Sequence, residues 1–239
     1  MSSIKSNIQN VLIIGSSSII GREISLLFRK ESMRVIETYT SNKPNISDEH
    51  SIPLHLDLRS NESINGFVEN LNKICSSIDI AIFLSGVLPG KRLDKYELSD
   101  IDEVMTVNFN GHAKLISKII PLFNEKSRLL LFSSISAQRG SFDPIYAASK
   151  GAVLSLVKSL ATALPSGARI NAIAPGLIQD SSMYQDMSQE RQEHHRNQVP
   201  SKKLLASKDL AKMVFDLCQV HWAHLNGACI DLNGGQNVR

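Results

Sequence analysis

The feature that most constrains this chain is a recurrence of short, unbroken apolar runs, each closing on small or turn-forming residues. Val11-Leu12-Ile13-Ile14 breaks at Gly15, and Ile78 to Leu84 closes on Ser85-Gly86. Leu129-Leu130-Leu131-Phe132 ends in Ser133-Ser134, and Arg169 to Ala174 turns at Pro175-Gly176. A run that is apolar at every position suits a strand buried on both faces, the condition of a parallel sheet covered by helices. Val35-Ile36, Ile52 to Leu56 and Ala228 to Leu232 read as three more strands, the last followed by Asn233-Gly234-Gly235. Helical patterns lie between them. One carries Ile24, Leu26, Leu27 and Phe28, and another runs from Asn61 to Ile74. A long one from Ser99 to Phe123 places Ile101, Val104, Met105, Val107 and Leu115 on an apolar face, with Asn108 in mid-helix. The last two run from Tyr146 to Leu164, broken by Pro165-Ser166-Gly167, and from Lys208 to Cys218. This alternation specifies an α/β doubly wound parallel sheet of about seven strands with helices on both faces. Ligands of such sheets sit beyond the carboxyl ends of the strands. Gly15, Asp57, Gly86, Ser134 and Pro175 all fall there.

At 239 residues the chain suits one domain, residues 1–239, with no linker. The polar, weakly periodic stretch 177–206 reads as a helical flap over the site. A net charge of +3 from dispersed residues gives no basic tract for nucleic acid. Three cysteines, Cys75, Cys218 and Cys229, have no metal-ligand spacing and suit a reducing compartment. The N-terminal residues Met1 to Asn10 lack the apolar core of a secretory signal, and no run approaches a membrane span of about 18 residues. A cytoplasmic protein is expected. His194-His195 point in different directions on a helix and lack partner ligands, so no metal site is expected.

The first strand, its small-residue turn Gly15-Ser16-Ser17-Ser18-Ile19-Ile20-Gly21 and the helix behind it form a ready anion site. Helix N-terminal amides and the helix dipole converge there, and small residues let a pyrophosphate approach the backbone. The second strand leads to the polar tip Tyr39-Thr40-Ser41-Asn42-Lys43-Pro44. A carboxylate about 20 residues past the glycine turn ordinarily receives the ribose 2′-hydroxyl of NAD. Glu37 is near that count but falls inside the strand. The hydroxyls and Lys43 at the tip favour NADP(H) over NAD(H). Asp57, ending the third strand, reads equally well as an acceptor for an adenine amino group or as part of a turn into a helix.

Ser133 to Lys150 carries the candidate chemistry. Tyr146 and Lys150 are four apart, one turn along one helix face. A free phenol has a pKa of about 10, and a nearby ammonium favours its ionised form. A serine hydroxyl at a strand end, a phenol and an ammonium together move a proton at a carbonyl or alcohol oxygen.

These segments resemble the short-chain dehydrogenase/reductase family over nearly the whole chain. The matches are Ser-Ser-Ile-Ser-Ala at 133–137, Tyr146-Ala-Ala-Ser-Lys150 with Gly151-Ala152, Val107-Asn108-Phe109, Asn171-Ala-Ile-Ala-Pro175-Gly176 and Asn226-Gly227 through Asp231 to Gly234-Gly235. Within the family the pattern is most similar to the 3-oxoacyl-acyl-carrier-protein reductases, and residues 35–41 resemble their NADP-dependent members. The resemblance implies a Rossmann-like fold and a tetrad. Tyr146 would protonate the substrate oxygen, and Lys150 would lower the phenol's pKa and hold the nicotinamide ribose. Ser134, rather than Ser133, would bond the substrate oxygen, and Asn108 would hold a water. It also implies cofactor contacts at Gly15, Ser17, Ser18, Ile20, Thr40, Asp57, Leu58, Ser85, Gly86, Pro175, Gly176 and Ile178, besides Tyr146 and Lys150. A small-molecule or carrier-bound carbonyl substrate and a homo-oligomer, tetramer or dimer, are implied as well. Two departures stand out: Ile19 occupies the middle glycine position, and Phe83-Leu84-Ser85-Gly86 replaces the family's Asn-Asn-Ala-Gly.

The alternative, which these departures motivate, is a nucleotide-binding regulatory or scaffold protein that kept the fold and lost turnover. Sugar-nucleotide epimerases and dehydratases also use Tyr-x-x-x-Lys. They need a sizeable C-terminal substrate domain, for which 239 residues leave no room.

Overall fold

The computed structural model describes residues 9–41, 43–44, 48–165 and 167–238. Asn42 of the polar tip, Ser166 of the helix-ending turn and the first eight residues, on which the reading of the N-terminus mostly rests, lie outside them.

Seven strands form one parallel sheet: β1 (Asn10–Ile14), β2 (Arg34–Tyr39), β3 (Ser51–His55), β4 (Ile80–Phe83), β5 (Arg128–Phe132), β6 (Arg169–Pro175) and β7 (Cys229–Leu232). Their order is β3-β2-β1-β4-β5-β6-β7, every neighbour parallel. The chain therefore reverses direction of winding between β1 and β4, and a crevice opens there at the strands' carboxyl ends. Side chains alternate across β1. Leu12 and Ile14 join one core cluster with Ile64 and Phe67 of α2 (Asn61–Ile74), while Val11 and Ile13 join the other with Ile24 and Phe28 of α1 (Ile19–Lys30). Unbroken apolar strands are thus the direct consequence of helices on both faces. Among the described residues no helix is long and apolar enough to cross a membrane.

The expected helix from Ser99 to Phe123 is instead composite. It consists of α3 (Leu98–Met105), a π-helical turn Thr106–Asn110, α4 (Gly111–Ile119) and a 3₁₀ turn Ile120–Leu122. The Gly111 amide reaches back to the Thr106 carbonyl, one residue further than in an α-helix. The cause lies on both sides of the turn. Asn108 is wholly buried and hydrogen-bonded to backbone outside the helix, and Gly111 sits tight against Leu58. Pro121 tightens the end.

A four-residue helix, α5 (Ser136–Arg139), follows β5, and α6 (Pro144–Leu160) carries Tyr146 and Lys150. The latter ends at Leu160, before the expected Leu164; Pro165 has no N–H to give the Ala161 carbonyl, which accepts instead from Asn226 Nδ2 at 2.8 Å. The flap holds α7 (Ser182–Gln185) and α8 (Gln189–Gln198), and α9 (Ser207–Leu217) packs on α1. Its two ends are tied together. Ile178 bridges Leu205, and the Asp180 carboxylate accepts from the Ser207 amide at 2.9 Å and hydroxyl at 2.5 Å.

Two helical glycines test this packing with opposite signs. A Cβ on Gly111 would stand 2.7 Å from both Cβ and the carbonyl oxygen of Leu58, whereas one on Gly66 in α2 would meet nothing within 4 Å. Ala is intrinsically the better helix former by about 1 kcal/mol. Gly66→Ala should therefore stabilise by about 0.5–1 kcal/mol. Gly111→Ala should destabilise by about 1–3 kcal/mol through overpacking. Chemical denaturation of the two variants checks both signs.

Candidate active site

Two groups of residues meet at the carboxyl edge of the sheet. The first lines a cleft of about 340 Å³ along the ends of β3, β2, β1 and β4. Gly15, Ser17, Ser18, Thr40, Asp57, Leu58, Ser85 and Gly86 are all in its walls. Gly15 has φ +92°, and a Cβ there would fall 2.8 Å from Ser85. Its amide donates to Thr38 Oγ1 at 3.0 Å, and Ser16 Oγ donates to the Thr38 carbonyl at 2.8 Å, which pins the turn to β2. Ser18 caps α1, its hydroxyl accepting from the Gly21 amide at 3.0 Å. Ile19 is the first residue of α1, 38 % exposed, and does not line the cleft. The other four candidates lie elsewhere: Ile20 packs against the core, Pro175 ends β6, Gly176 lines a second cavity, and buried Ile178 bridges Leu205.

At the cleft's outer end, Glu37 is buried and its carboxylate is taken up by the hydroxyls of Ser25 and Ser51. It does not line the cleft. The rim there is Thr38, Tyr39, Thr40 and Ser41, with Lys43 exposed beyond. Asp57 is in the wall, but its carboxylate is forked by Arg59, Nε at 2.9 Å and Nη2 at 3.1 Å, and these bonds hold its pKa below the usual range. Arg59, which the sequence reading passed over, is thereby fixed in the wall; an Asp-x-Arg at a strand's end was the available signal. A glycine cradle, a helix N-terminus and a rim of hydroxyls fit a dinucleotide.

The second group adjoins the inner end of the cleft at Gly86, where a Cβ would come 3.2 Å from both Asn108 Oδ1 and Lys150 Nζ. Lys150 is buried and its ammonium donates to the Phe132 carbonyl at 2.9 Å. Burial pushes its pKa down to about 8. Ser133 Oγ donates to the Lys150 carbonyl at 2.8 Å, so this first serine fastens α6 to β5. Ser134 lies beside the Tyr146 phenol. Burial pushes that phenol's pKa up, the Ser134 hydroxyl draws it down, and the Asp143 carboxylate adds to the rise. Lys150 Nζ is 5.9 Å from the Tyr146 ring centroid. Asn108 is not solvated: its Oδ1 accepts from the Val87 amide at 2.7 Å, and its Nδ2 donates to the Val87 carbonyl and Ser149 Oγ, both at 3.0 Å. Both polar atoms of its side chain are engaged in holding the segment after β4 against α6. The π turn that carries it was not legible in the apolar periodicity.

Behind this group, Phe83 is fully buried and meets His112 edge-on, ring centroids 5.5 Å apart. His112 Nε2 is buried without a hydrogen-bond partner, and burial, aided by the Lys150 charge, pushes its pKa down to about 3. A neutral, apolar wall thus replaces an amide at the departure from the family's fourth-strand motif. His194 and His195 sit in α8, and no cluster of three metal-ligating side chains occurs among the described residues.

Comparison with known proteins places this geometry. Residues 14–237 match the family described as Enoyl-(Acyl carrier protein) reductase. The chain is 27% identical over 237 residues to a 3-oxoacyl-acyl-carrier-protein reductase of Aquifex aeolicus, covering 94% of this chain and 95% of that one. It is 26% identical over 240 residues to the protein so named in Staphylococcus aureus strain N315, covering 95% and 97%. Among solved structures, a short-chain dehydrogenase/reductase (glucose/ribitol dehydrogenase) from Brucella melitensis superposes with a TM-score of 0.89 at 23% identity, over 97% of both chains. A short-chain dehydrogenase/reductase from Serratia marcescens gives 0.87 at 20% identity, over 96% and 98%.

The Lys150 environment makes a pH prediction. Its folded pKa of about 8 lies below the ordinary 10.5, so between these values the unfolded chain binds the extra proton and stability rises with pH. Below about 8 both states are protonated and this slope vanishes. Relative to Lys150→Met, the wild-type protein should gain stability as pH rises from about 8 toward 10.5, measured by denaturant unfolding of the pair at each pH.

Proposed function

This chain belongs to the short-chain dehydrogenase/reductase family, and we propose that within it the protein is an NADP(H)-dependent reductase of a carbonyl group, with 3-oxoacyl thioesters as the first substrate class to test. The observation that carries the reading is the meeting of Ser134, Tyr146 and buried Lys150 at the Gly86 end of the dinucleotide-shaped cleft. NADPH, when bound, would supply a hydride to the carbonyl carbon.

The chain's own residues would do the rest. Tyr146 would give its phenolic proton to the oxygen as negative charge develops there, and Ser134 would donate a hydrogen bond to that oxygen. Lys150 is held by the Phe132 carbonyl at 2.9 Å, within reach of Gly86, where it would bind the ribose next to the reacting ring and favour the phenolate left behind. Asn108 would act through its placement of Val87 and α6, and a relay water would have to use its main-chain carbonyl. NADP(H) is favoured because the cleft's outer rim presents hydroxyls, Lys43 stands nearby, and Glu37 is withdrawn to Ser25 and Ser51. Between the flap and β7 lies a separate cavity of about 280 Å³, its apolar lining from Leu177, Val199, Leu204, Leu205 and Leu232 and its polar lining from Lys203, Asp231, Asn233 and Gln236. The apolar part of that lining suits an acyl chain. The single-domain organisation, a cytoplasmic setting and assembly as a homo-oligomer belong to the same reading.

Fluorescence titration should show NADPH binding more tightly than NADH, with both weakened in Lys150→Ala. Tyr146→Phe should lower turnover about 10²–10⁴-fold while leaving NADPH affinity near that of wild type. No binding of either cofactor at millimolar concentration would overturn the reading. Binding with no oxidation over a panel of 3-oxoacyl, 2-enoyl and simple carbonyl substrates would favour the regulatory or scaffold role.

A further inference from the structure

A buried carboxylate outside the tetrad is the most heavily bonded acidic group near the site. Asp143 is 2 % exposed and stands immediately before α6. Its Oδ1 accepts from the Tyr146 amide at 2.9 Å, as an N-cap does, and from the Tyr96 phenol at 2.6 Å. Its Oδ2 accepts from the Gly90 amide at 2.9 Å and the Lys91 amide at 3.3 Å. One carboxylate therefore joins the first turn of the Tyr146 helix to both ends of the segment Gly90–Tyr96. That segment follows directly on Val87, which Asn108 grips from the other side.

An ordinary N-cap needs one acceptor and uses one or two helix amides. Four donors on a buried carboxylate, three of them from a segment about 50 residues away in sequence, exceed what capping requires. We propose that Asp143 is a positioning residue for Tyr146, locking the Gly90–Tyr96 segment onto the first helical turn beneath the phenol. The inference rests on the reading of Tyr146 as the acid/base group. Burial, the hydrogen bond to Asp143 and the Asp143 charge push the Tyr96 phenol's pKa well above its ordinary value, so Tyr96 stays protonated and donating near neutral pH.

The groups around Tyr146 can be named from each element. Lys150 comes from its own helix, Asp143 from the cap, the Ser134 hydroxyl from the end of β5, and Tyr96 from the locked segment with the Lys91–Asp100 ion pair behind it. The Asp143 charge opposes ionisation of Tyr146, and Ser134 favours it. Removing the charge while keeping the shape should therefore lower the phenol's pKa, a change that loss of packing alone would not produce in that direction. Exposing a buried phenol would also lower it, so amide exchange must be read alongside.

The test uses the full-length chain with ¹³C-labelled tyrosine, Tyr146→Phe supplying the assignment. Titration of Tyr146 by NMR and amide hydrogen exchange at Gly90 and Lys91 are measured for wild type, Asp143→Asn and Tyr96→Phe. Asp143→Asn should move the Tyr146 titration to lower pH. Tyr96→Phe, which keeps the ring and the Asp143 charge, should speed exchange at Gly90 and Lys91 while the Tyr146 amide stays protected. In turnover assays both should reduce kcat by about 10- to 100-fold, with the NADPH dissociation constant within about twofold of wild type. If Asp143→Asn does not fold, Tyr96→Phe alone decides through its exchange rates and its kcat. Unchanged titration in Asp143→Asn, or unchanged exchange and kcat in Tyr96→Phe, would overturn the proposal. Because titration and exchange need no substrate, a failure of the oxidoreductase reading would leave those two results intact and show itself only in the missing turnover.

Discussion

The arrangement depends on the burial of one ammonium group. Lys150 Nζ lies beneath the sheet's edge, bonded to the Phe132 carbonyl, and burial holds its pKa near 8. A buried cation costs folding free energy unless it is paired and hydrogen-bonded, so the surrounding residues are fitted to it. Gly86 gives it room, Ser133 fastens its backbone to β5, and Asn108 fixes the segment that passes over it. The apolar wall of Phe83 and neutral His112 completes the enclosure.

The divergences from the family pattern fall at different places relative to the cleft. Ile19 opens α1 and stays out of the cleft walls, so the path around Gly15 is set by Thr38, Ser16 and Ser18 instead. Phe83 trades a polar side chain for an aromatic pair in the core, and only Leu84, Ser85 and Gly86 reach the cleft. Of the substituted positions, Phe83 lies behind the site, whereas Leu84 and Ser85 are part of the cleft wall itself.

The sheet was readable from sequence because each strand is apolar at consecutive positions and each is followed by a helical pattern; the boundaries of α2 were recovered to the residue. The pairing of Tyr146 with Lys150 followed from helical spacing and the serine pair from its place at the end of β5, whereas the choice of Ser134 over Ser133 came from the family resemblance. What escaped were contacts between segments far apart in the chain. The π turn at Asn108 arises from bonds to Val87 and Ser149, and apolar periodicity carries no trace of them. An Asp before a Pro, as at Asp143, was an available cap signal that the sequence reading passed over, and nothing in the sequence marks its bonds to Gly90, Lys91 and Tyr96. Glu37 illustrates the converse: its position inside the strand was legible, whereas the serines that hold it come from α1 and β3.

The central claim is that Ser134, Tyr146 and Lys150 reduce a carbonyl held at the Gly86 end of the cleft. The most direct measurement is mass spectrometry of the product formed from a 3-oxoacyl thioester and NADPH deuterated at the transferable position of the nicotinamide. One deuterium on the new alcohol carbon with the wild-type protein, formed about 10²–10⁴-fold more slowly with Tyr146→Phe, is the result this account predicts. Tight NADPH binding with no deuterium in any product would contradict it.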